Sequence, residues 1–433
     1  MNTIIKHKCP VCGSSIEYDA ELQKLKCPFC STVYELSDFE EKNDEAENEE
    51  IKDSAEALTE NSAENMYIYH CDSCGGEIVG EKVTGATFCP FCGDHIIVSQ
   101  EFSGNLKPES IIPFKIDKKS AQKAFKEHIK GKNYVKDEFL NNNWIKKIVG
   151  LYVPVWIYDG KVSSDIRYRK IISDSSDSRL KHSRSCSFSV KSLPVDGSVK
   201  MNDELMESLE PFDLSQGTDF DMGYLAGYFA DSYDMNQEEC SVRFKKRAER
   251  TAYSLIKGYL GEVNSKELVP DFKKSITQLS DVTEKYVLLP VWILTVSTLE
   301  GEKYTFAMNG QTGKFVGNLP LSGKKYKKRV INKLITFIAV LTVIFNLFLI
   351  PHLITKGYFV GEGSIIKDLI SLLIMNLVPI FFFYVIGGII IGFKMKKETD
   401  SLSTVKYADN LQDYVVNGSV IIKDEETLTD EEA

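Results

Sequence analysis

Apolar and polar positions change period several times along the chain, and each change predicts a different element. From Asp117 to Lys130 the period is helical: Ala121, Ala124, Phe125 and Ile129 share one face, lysines fill the other, Asp117 is the cap and Gly131 the stop. From Glu302 to Pro320 the pattern predicts a β-hairpin, with Tyr304-Thr305-Phe306-Ala307-Met308 turning at Asn309-Gly310 into Lys314-Phe315-Val316. Residues 101–322 mix such signals with regular turns, which predicts a central α+β domain. Two uncharged apolar runs follow, Leu334–Ile350 (extendable to Ile354) and Leu369–Phe393. Each is long enough to cross ~30 Å of hydrocarbon, so 330–354 and 369–393 are expected to form a two-helix transmembrane hairpin. Residues 37–65 hold twelve carboxylates and few large apolar groups, a solvated acidic linker, and 394–433 form an acidic tail.

Eight of the ten cysteines lie in four Cys-x-x-Cys pairs. Cys9, Cys12, Cys27 and Cys30 recur as Cys71, Cys74, Cys89 and Cys92, 62 positions on, with Pro28-Phe29 matched by Pro90-Phe91. The repeat predicts two tandem small β modules, ribbon 1 at 1–36 and ribbon 2 at 66–100. Four thiolates on two tight knuckles supply the tetrahedral sulfur environment that Zn²⁺ prefers, so two structural zinc ions are expected. Iron in a rubredoxin-like site is the main rival, and a thioredoxin-type role fits matched sets of pairs less well. Gly13, Gly75 and Gly93 let the knuckles turn back so that N–H groups face sulfur. Strand pieces such as Ser15–Tyr18 and Glu77–Val79 are too short to hold a core unaided, so the metal is expected to supply the missing stability, typically roughly 10–16 kcal/mol for such sites. Four sulfurs leave no open coordination position, which excludes hydrolytic zinc chemistry there.

Composition narrows the partners. The chain has 433 residues, with 62 acidic against 52 basic side chains and a formal charge of −10. Ribbon 2 carries Lys82 alone against Asp72, Glu77, Glu81 and Asp94. Phosphate binding needs positive charge to release counterions, so nucleic acid is the less favoured partner and protein the better one. The N-terminus has no signal-like apolar stretch. Lys324, Lys325, Lys327, Lys328, Arg329 and Lys333 precede the first span and Lys394, Lys396 and Lys397 follow the second, whereas the connection has only Lys356 and Lys367. That asymmetry predicts a multi-pass membrane protein with both termini cytoplasmic, where thiolates stay reduced. Asn346 and Asn376 are placed to share a hydrogen bond between the spans, and Gly388 and Gly392 offer a small-x-x-x-small surface for the first span or for homo-oligomers.

Other signals are read as bland. Gly310-Gln311-Thr312-Gly313-Lys314 lacks the first glycine and the Ser/Thr of a phosphate loop and is a hairpin turn. Cys186 and His182 are expected in an exposed serine-rich loop, and Arg243-Phe244-Lys245-Lys246-Arg247 on a solvated face. No catalytic triad or paired-carboxylate signature is seen, so no catalytic or cofactor residues are assigned beyond the eight metal ligands. Val153-Pro154-Val155-Trp156-Ile157 echoes Leu289-Pro290-Val291-Trp292-Ile293, each preceded by a Pro-Phe step (Pro113-Phe114, Pro211-Phe212). The echo predicts two related α+β halves, with the prolines at an edge strand or a strand start.

CPVCG, CPFC, CDSCGG, CPFCG, IIPFKI, YVPVW, LLPVW and FAMNGQTGKFVGNLP, ending in two apolar runs, together resemble bacterial TFIIB-type zinc-ribbon-containing membrane proteins. Some members carry labels borrowed from primosomal helicases, which this chain, lacking the phosphate loop, does not support. The likeness extends to about residue 393 and maps the eight ribbon cysteines one to one. It implies an inner-membrane protein working with envelope-stress or flotillin-like partners. The expectation is thus a membrane-anchored, zinc-binding, non-enzymatic adaptor or scaffold that docks protein partners. The alternative is a membrane-tethered nucleic-acid factor, for which residues 101–150 offer eleven lysines against six carboxylates.

Overall fold

The computed structural model describes residues 4–5, 8–39, 66–70, 74, 77–81, 83–92, 94–132, 134–140, 142–170, 181–265, 268–270, 275–298, 300–355, 365–400, 402–405 and 412–428. Most of the acidic linker lies outside them, as do Cys71, Gly75, Gly93 and the connection 356–364. The fold is mixed α/β. Ribbon 1 contributes β1 (Ile4–Ile5), β2 (Glu17–Asp19), β3 (Lys24–Lys26) and β4 (Val33–Tyr34); ribbon 2 contributes β5 (Met66–His70), β6 (Glu77–Glu81), β7 (Thr84–Phe88) and β8 (His95–Val98). The middle of the chain runs β9 (Ser110–Ile111), α1 (Lys118–Ile129), β10 (Val149–Lys170), β11 (Lys181–Asp196), α2 (Asp203–Leu209), β12 (Thr218–Asp219), β13 (Phe229–Asp231), α3 (Gln237–Ser265), β14 (Leu268–Pro270), β15 (Ile276–Ser297), β16 (Lys303–Asn309) and β17 (Phe315–Gly317). Helices α4 (Gly323–Thr355) and α5 (Ile365–Asp400) and a last strand, β18 (Ile421–Leu428), complete it.

The centre is the antiparallel pair β10 and β15, each 22 residues long, in which the two Pro-Val-Trp segments oppose each other with Val153 facing Leu289. The near-continuous apolar sequence around these segments, at 151–158 and 286–294, follows from burial on both faces. Val153, Val155, Ile157, Val287, Leu289 and Val291 pack with α2 on one face, while Tyr152, Trp156, Tyr158, Leu288 and Trp292 join the larger core on the other. The two halves are related by a pseudo-twofold and exchange strands. β13 runs parallel to β10 at Leu151 and Tyr152, and β9 runs parallel to β15 at Val287 and Leu288. β11 starts its ladder at Val155 opposite Asp196, and β16 at Val291 opposite Asn309. The hydrogen bonds repeat too: Gly197 N–H donates to Pro154 O at 2.9 Å and Gly310 N–H to Pro290 O at 2.8 Å. Trp156 Nε1 donates to Met235 O at 3.0 Å and Trp292 Nε1 to Ile116 O at 2.8 Å, each acceptor lying just ahead of a helix.

This arrangement corrects two expectations. The structural counterpart of Phe114, which packs on Trp292 with ring centres 5.0 Å apart, is Tyr233, which packs on Trp156 at 5.1 Å; Phe212 belongs to the other face. The prolines are not at an edge strand or a strand start. Pro154 lies in mid-strand, where the outer ladder of β10 passes from β13 to β11, and Pro290 where that of β15 passes from β9 to β16, so neither position needs an N–H.

The predicted helix is α1: Asp117 accepts from Ser120 N and Lys119 N, Ala121, Phe125 and Ile129 are buried, and Gly131 has φ +82°. The predicted hairpin is β16 and β17. Three other readings change. Cys186 is not in an exposed loop but fully buried in β11. On α3, Phe244 and Arg247 are buried, not on a solvated face, because α2 brings carboxylates to meet the arginines. Phe39, at the start of the expected linker, is buried against Tyr34 with ring centres 5.6 Å apart.

Among the described residues α4 is the one helix long and apolar enough to cross a membrane; the apolar stretch Ile380–Phe393 of α5 is shorter. The two helices pack antiparallel. Asn346 and Asn376 exchange side-chain hydrogen bonds of 2.7 and 3.2 Å, and a Cβ added at Gly387 would meet the Phe337 ring at 2.5 Å. Nothing lies within 4 Å of such a Cβ at Gly388 or Gly392, so Gly387 makes the close approach to the first helix instead. The roots of the pair are bonded together: Leu319 N–H donates to Leu402 O at 2.9 Å and Thr404 N–H to Gly317 O at 3.2 Å. Beyond them β18 covers the outer edge of β11.

Candidate metal centres

The sulfur ligand atoms of Cys9, Cys12, Cys27 and Cys30 all lie within 4.8 Å of one another. Two knuckles of the same shape bring them there. Gly13 N–H donates to Cys9 O and Cys9 N–H to Ser14 O, both at 2.8 Å; Ser31 N–H donates to Cys27 O and Cys27 N–H to Thr32 O, both at 2.9 Å. Gly13 at φ +75° and Ser31 at φ +63° make the left-handed step that reverses each knuckle. The second position shows that glycine is favoured there and not required.

Sγ of Cys9 and Cys30 are 3.5 Å apart, as are those of Cys12 and Cys27. Tetrahedral zinc with bonds of about 2.3 Å sets its sulfurs about 3.8 Å apart, so the donor set fits zinc. Cys30 N–H points at Cys27 Sγ at 3.5 Å, the Tyr34 hydroxyl lies 3.1 Å from Cys9 Sγ, and the Thr32 hydroxyl lies 3.1 Å from Cys30 Sγ. Such donors stabilise thiolate and orient it. Burial opposes ionisation of Cys9, but the Tyr34 hydroxyl and the Cys12 and Val11 amides outweigh it and hold the thiol down to about 6. Sequence reasoning missed Thr32 and Tyr34, although their alternation two and four residues after Cys30 places them on one side of the strand leaving the knuckle.

In ribbon 2, Cys74, Cys89 and Cys92 lie within the same 4.8 Å limit, with Sγ of Cys74 and Cys89 3.7 Å apart. Cys71 lies outside the described residues, so three of the four expected ligands are placed. Cys89 N–H donates to Asp94 O at 2.8 Å, repeating the knuckle bond of ribbon 1. Burial again raises its thiol, and the Cys92 and Phe91 amides bring it down to about 7.

The ribbons are built into the rest of the fold. β7 pairs with β13 and β1 with β8, the Ser15 hydroxyl bonds the Asp94 carboxylate, and Tyr18 N–H donates to Ala226 O at 2.9 Å. Gln23 Nε2 donates to Phe114 O at 2.8 Å, beside the Trp292 packing site. Among the residues left outward, Val11, Phe29 and Phe91, all knuckle residues, are 69%, 81% and 70% exposed.

No family model and no solved structure matches the chain. It is 33% identical over 333 residues to the uncharacterized protein YdjG of Bacillus subtilis (strain 168), a match that covers 74% of this chain and 92% of that protein. With a likeness spanning nearly the whole relative, the chain belongs to the family of YdjG.

Proposed function

We propose that the chain is a membrane-anchored, zinc-binding, non-enzymatic adaptor of the TFIIB-type zinc-ribbon kind, whose ribbons dock a protein partner on the cytoplasmic side. The observation that carries the reading is the closed sulfur set of ribbon 1, with amide and hydroxyl donors turned onto its sulfurs. A site with no open position stabilises a fold and performs no hydrolysis. The exposed knuckle residues Val11, Phe29 and Phe91 support docking, since an apolar tip on a metal-fixed turn loses little conformational freedom when covered. α4 and α5 supply the anchor as a two-helix hairpin. Its antiparallel packing, its paired asparagines, the exposure of Leu347, Phe348 and Phe381, and the lysines at its bonded roots support this topology, with both termini cytoplasmic.

The test is metal analysis of the purified full chain, together with labelling of its two termini in intact and opened cells. Two equivalents of zinc are expected, with loss of the ribbon fold on chelation and labelling of both termini only after the cells are opened. Fewer than two equivalents, or ribbons that stay folded without metal, would refute the zinc reading. Labelling of either terminus in intact cells would refute the topology.

A further inference from the structure

The pseudo-twofold makes Asp196 and Asn309 equivalent, yet their side chains end differently. Each closes the first outer pair of its ladder and precedes the glycine bonded to the central proline. In the second half Asn309 is saturated: Oδ1 accepts from Gln311 N and Thr312 N at 2.9 Å, and Nδ2 donates to Leu209 O and Pro211 O at 3.1 and 3.3 Å. In the first half Asp196 Oδ1 does the same work, accepting from Ser198 N at 2.9 Å. Its Oδ2, where Asn309 carries donor hydrogens, is buried with no partner on a residue only 4% exposed.

Arg243 lies nearby without hydrogen-bonding it. One guanidinium nitrogen bonds the main-chain oxygen of Asp196 at 2.9 Å and another bonds Asp203 at 2.7 Å, leaving Oδ2 4.0 Å away. Arg247 is held by Glu210, at 2.9 and 2.6 Å. Asp196 is one of the residues lining a small pocket between α2, α3 and the central strands, with room for about one water molecule. Two more buried atoms without a hydrogen bond belong to residues lining it, Glu207 Oε2 and Arg247 Nε, the latter 3.8 Å from Glu207 Oε1. The titratable groups around Asp196 are Arg243, Arg247 and Cys240 from α3, Asp203, Glu207 and Glu210 from α2, and Asp234 ahead of α3.

We propose that Asp196 is a buried proton-binding site: the folded chain holds a proton on Oδ2, which makes the side chain a neutral counterpart of Asn309, and loss of that proton loosens the α2–α3 junction. Burial is the largest cause, and it outweighs the Ser198 N–H and Arg243 to push the carboxyl up to about 7. The sign follows. The folded chain holds the proton more tightly than the unfolded one, so the stabilisation is complete below the ordinary carboxylate range and is lost as pH rises through about 7.

The test compares unfolding of the full chain in detergent micelles with that of Asp196→Asn between pH 5 and 8.5. In the wild type this group should raise the unfolding constant on the order of tenfold per pH unit from pH 5 to 7 and add nothing above. Asp196→Asn should lack that slope and be the more stable protein at pH 8. Equal slopes in the two proteins overturn the proposal. Should the variant fail to fold, infrared spectra of the folded wild type carrying carboxyl-labelled aspartate decide: a protonated-carboxyl band present at pH 6 and titrating away near pH 7 is expected, and its absence at pH 6 overturns it.

Discussion

Arg247 sits with its guanidinium on both oxygens of Glu210 and one nitrogen on Pro194 O at 2.8 Å, and both charged side chains are less than a tenth exposed. Removing one partner of such a pair leaves a buried charge uncompensated. Arg247→Ala should therefore cost about 3–5 kcal/mol, and the triple variant Arg247→Met, Glu210→Leu, Glu207→Met, which also removes the buried carboxylate 3.8 Å from Arg247 Nε, much less. Denaturant midpoints of the three proteins check this. The pair was not legible in the sequence. A dense basic run suggests a solvated face, and only the docking of α2 against α3, set by contacts far apart in the chain, shows that Arg243 and Arg247 point inward. The clustered cysteines are the opposite case, because their spacing of two residues is itself the geometry of a knuckle.

At the scale of elements, the repeat of Pro-Val-Trp was visible, whereas the segments that complete each half were not. Phe114 and Tyr233 occupy equivalent places, but Ile-Pro-Phe-Lys-Ile and Asp-Ser-Tyr-Asp-Met share no string to align. Aromatic bulk over an indole and a carbonyl ahead of a helix are what the fold retains. Because both indole N–H groups bond equivalent carbonyls, Trp156→Phe and Trp292→Phe should each lower stability by about 1 kcal/mol, and by similar amounts. Thermal unfolding of the two variants side by side checks the equivalence. In the helix pair the separation is sharper. Gly387→Val drives a side chain into the Phe337 ring, while Gly388→Val meets nothing. Disulfide trapping between cysteines placed on α4 and α5 should fail in the first variant and persist in the second.

For the whole molecule, composition suggests an order of parts, because a ribbon, an acidic run and an apolar run each announce themselves locally. Their joints leave no such mark. The sequence suggests a head, a tether and an anchor in series, yet strands of both ribbons pair into the central sheet, and the tail expected to be a mere extension lies along β11. Both outcomes rest on edge pairing, which depends on backbone and leaves little trace in side-chain pattern. The contact between Leu319 and Leu402 follows from the same closure. It makes α4 and α5 an insertion into an already folded body rather than an appendage hung from its end. The ribosome therefore releases the last sheet strand only after both long helices have been synthesised, and the border of β11 stays uncovered throughout that interval. A tilt of the helix pair, in turn, is felt by the sheet through the bonds of Leu319 to Leu402 and of Thr404 to Gly317.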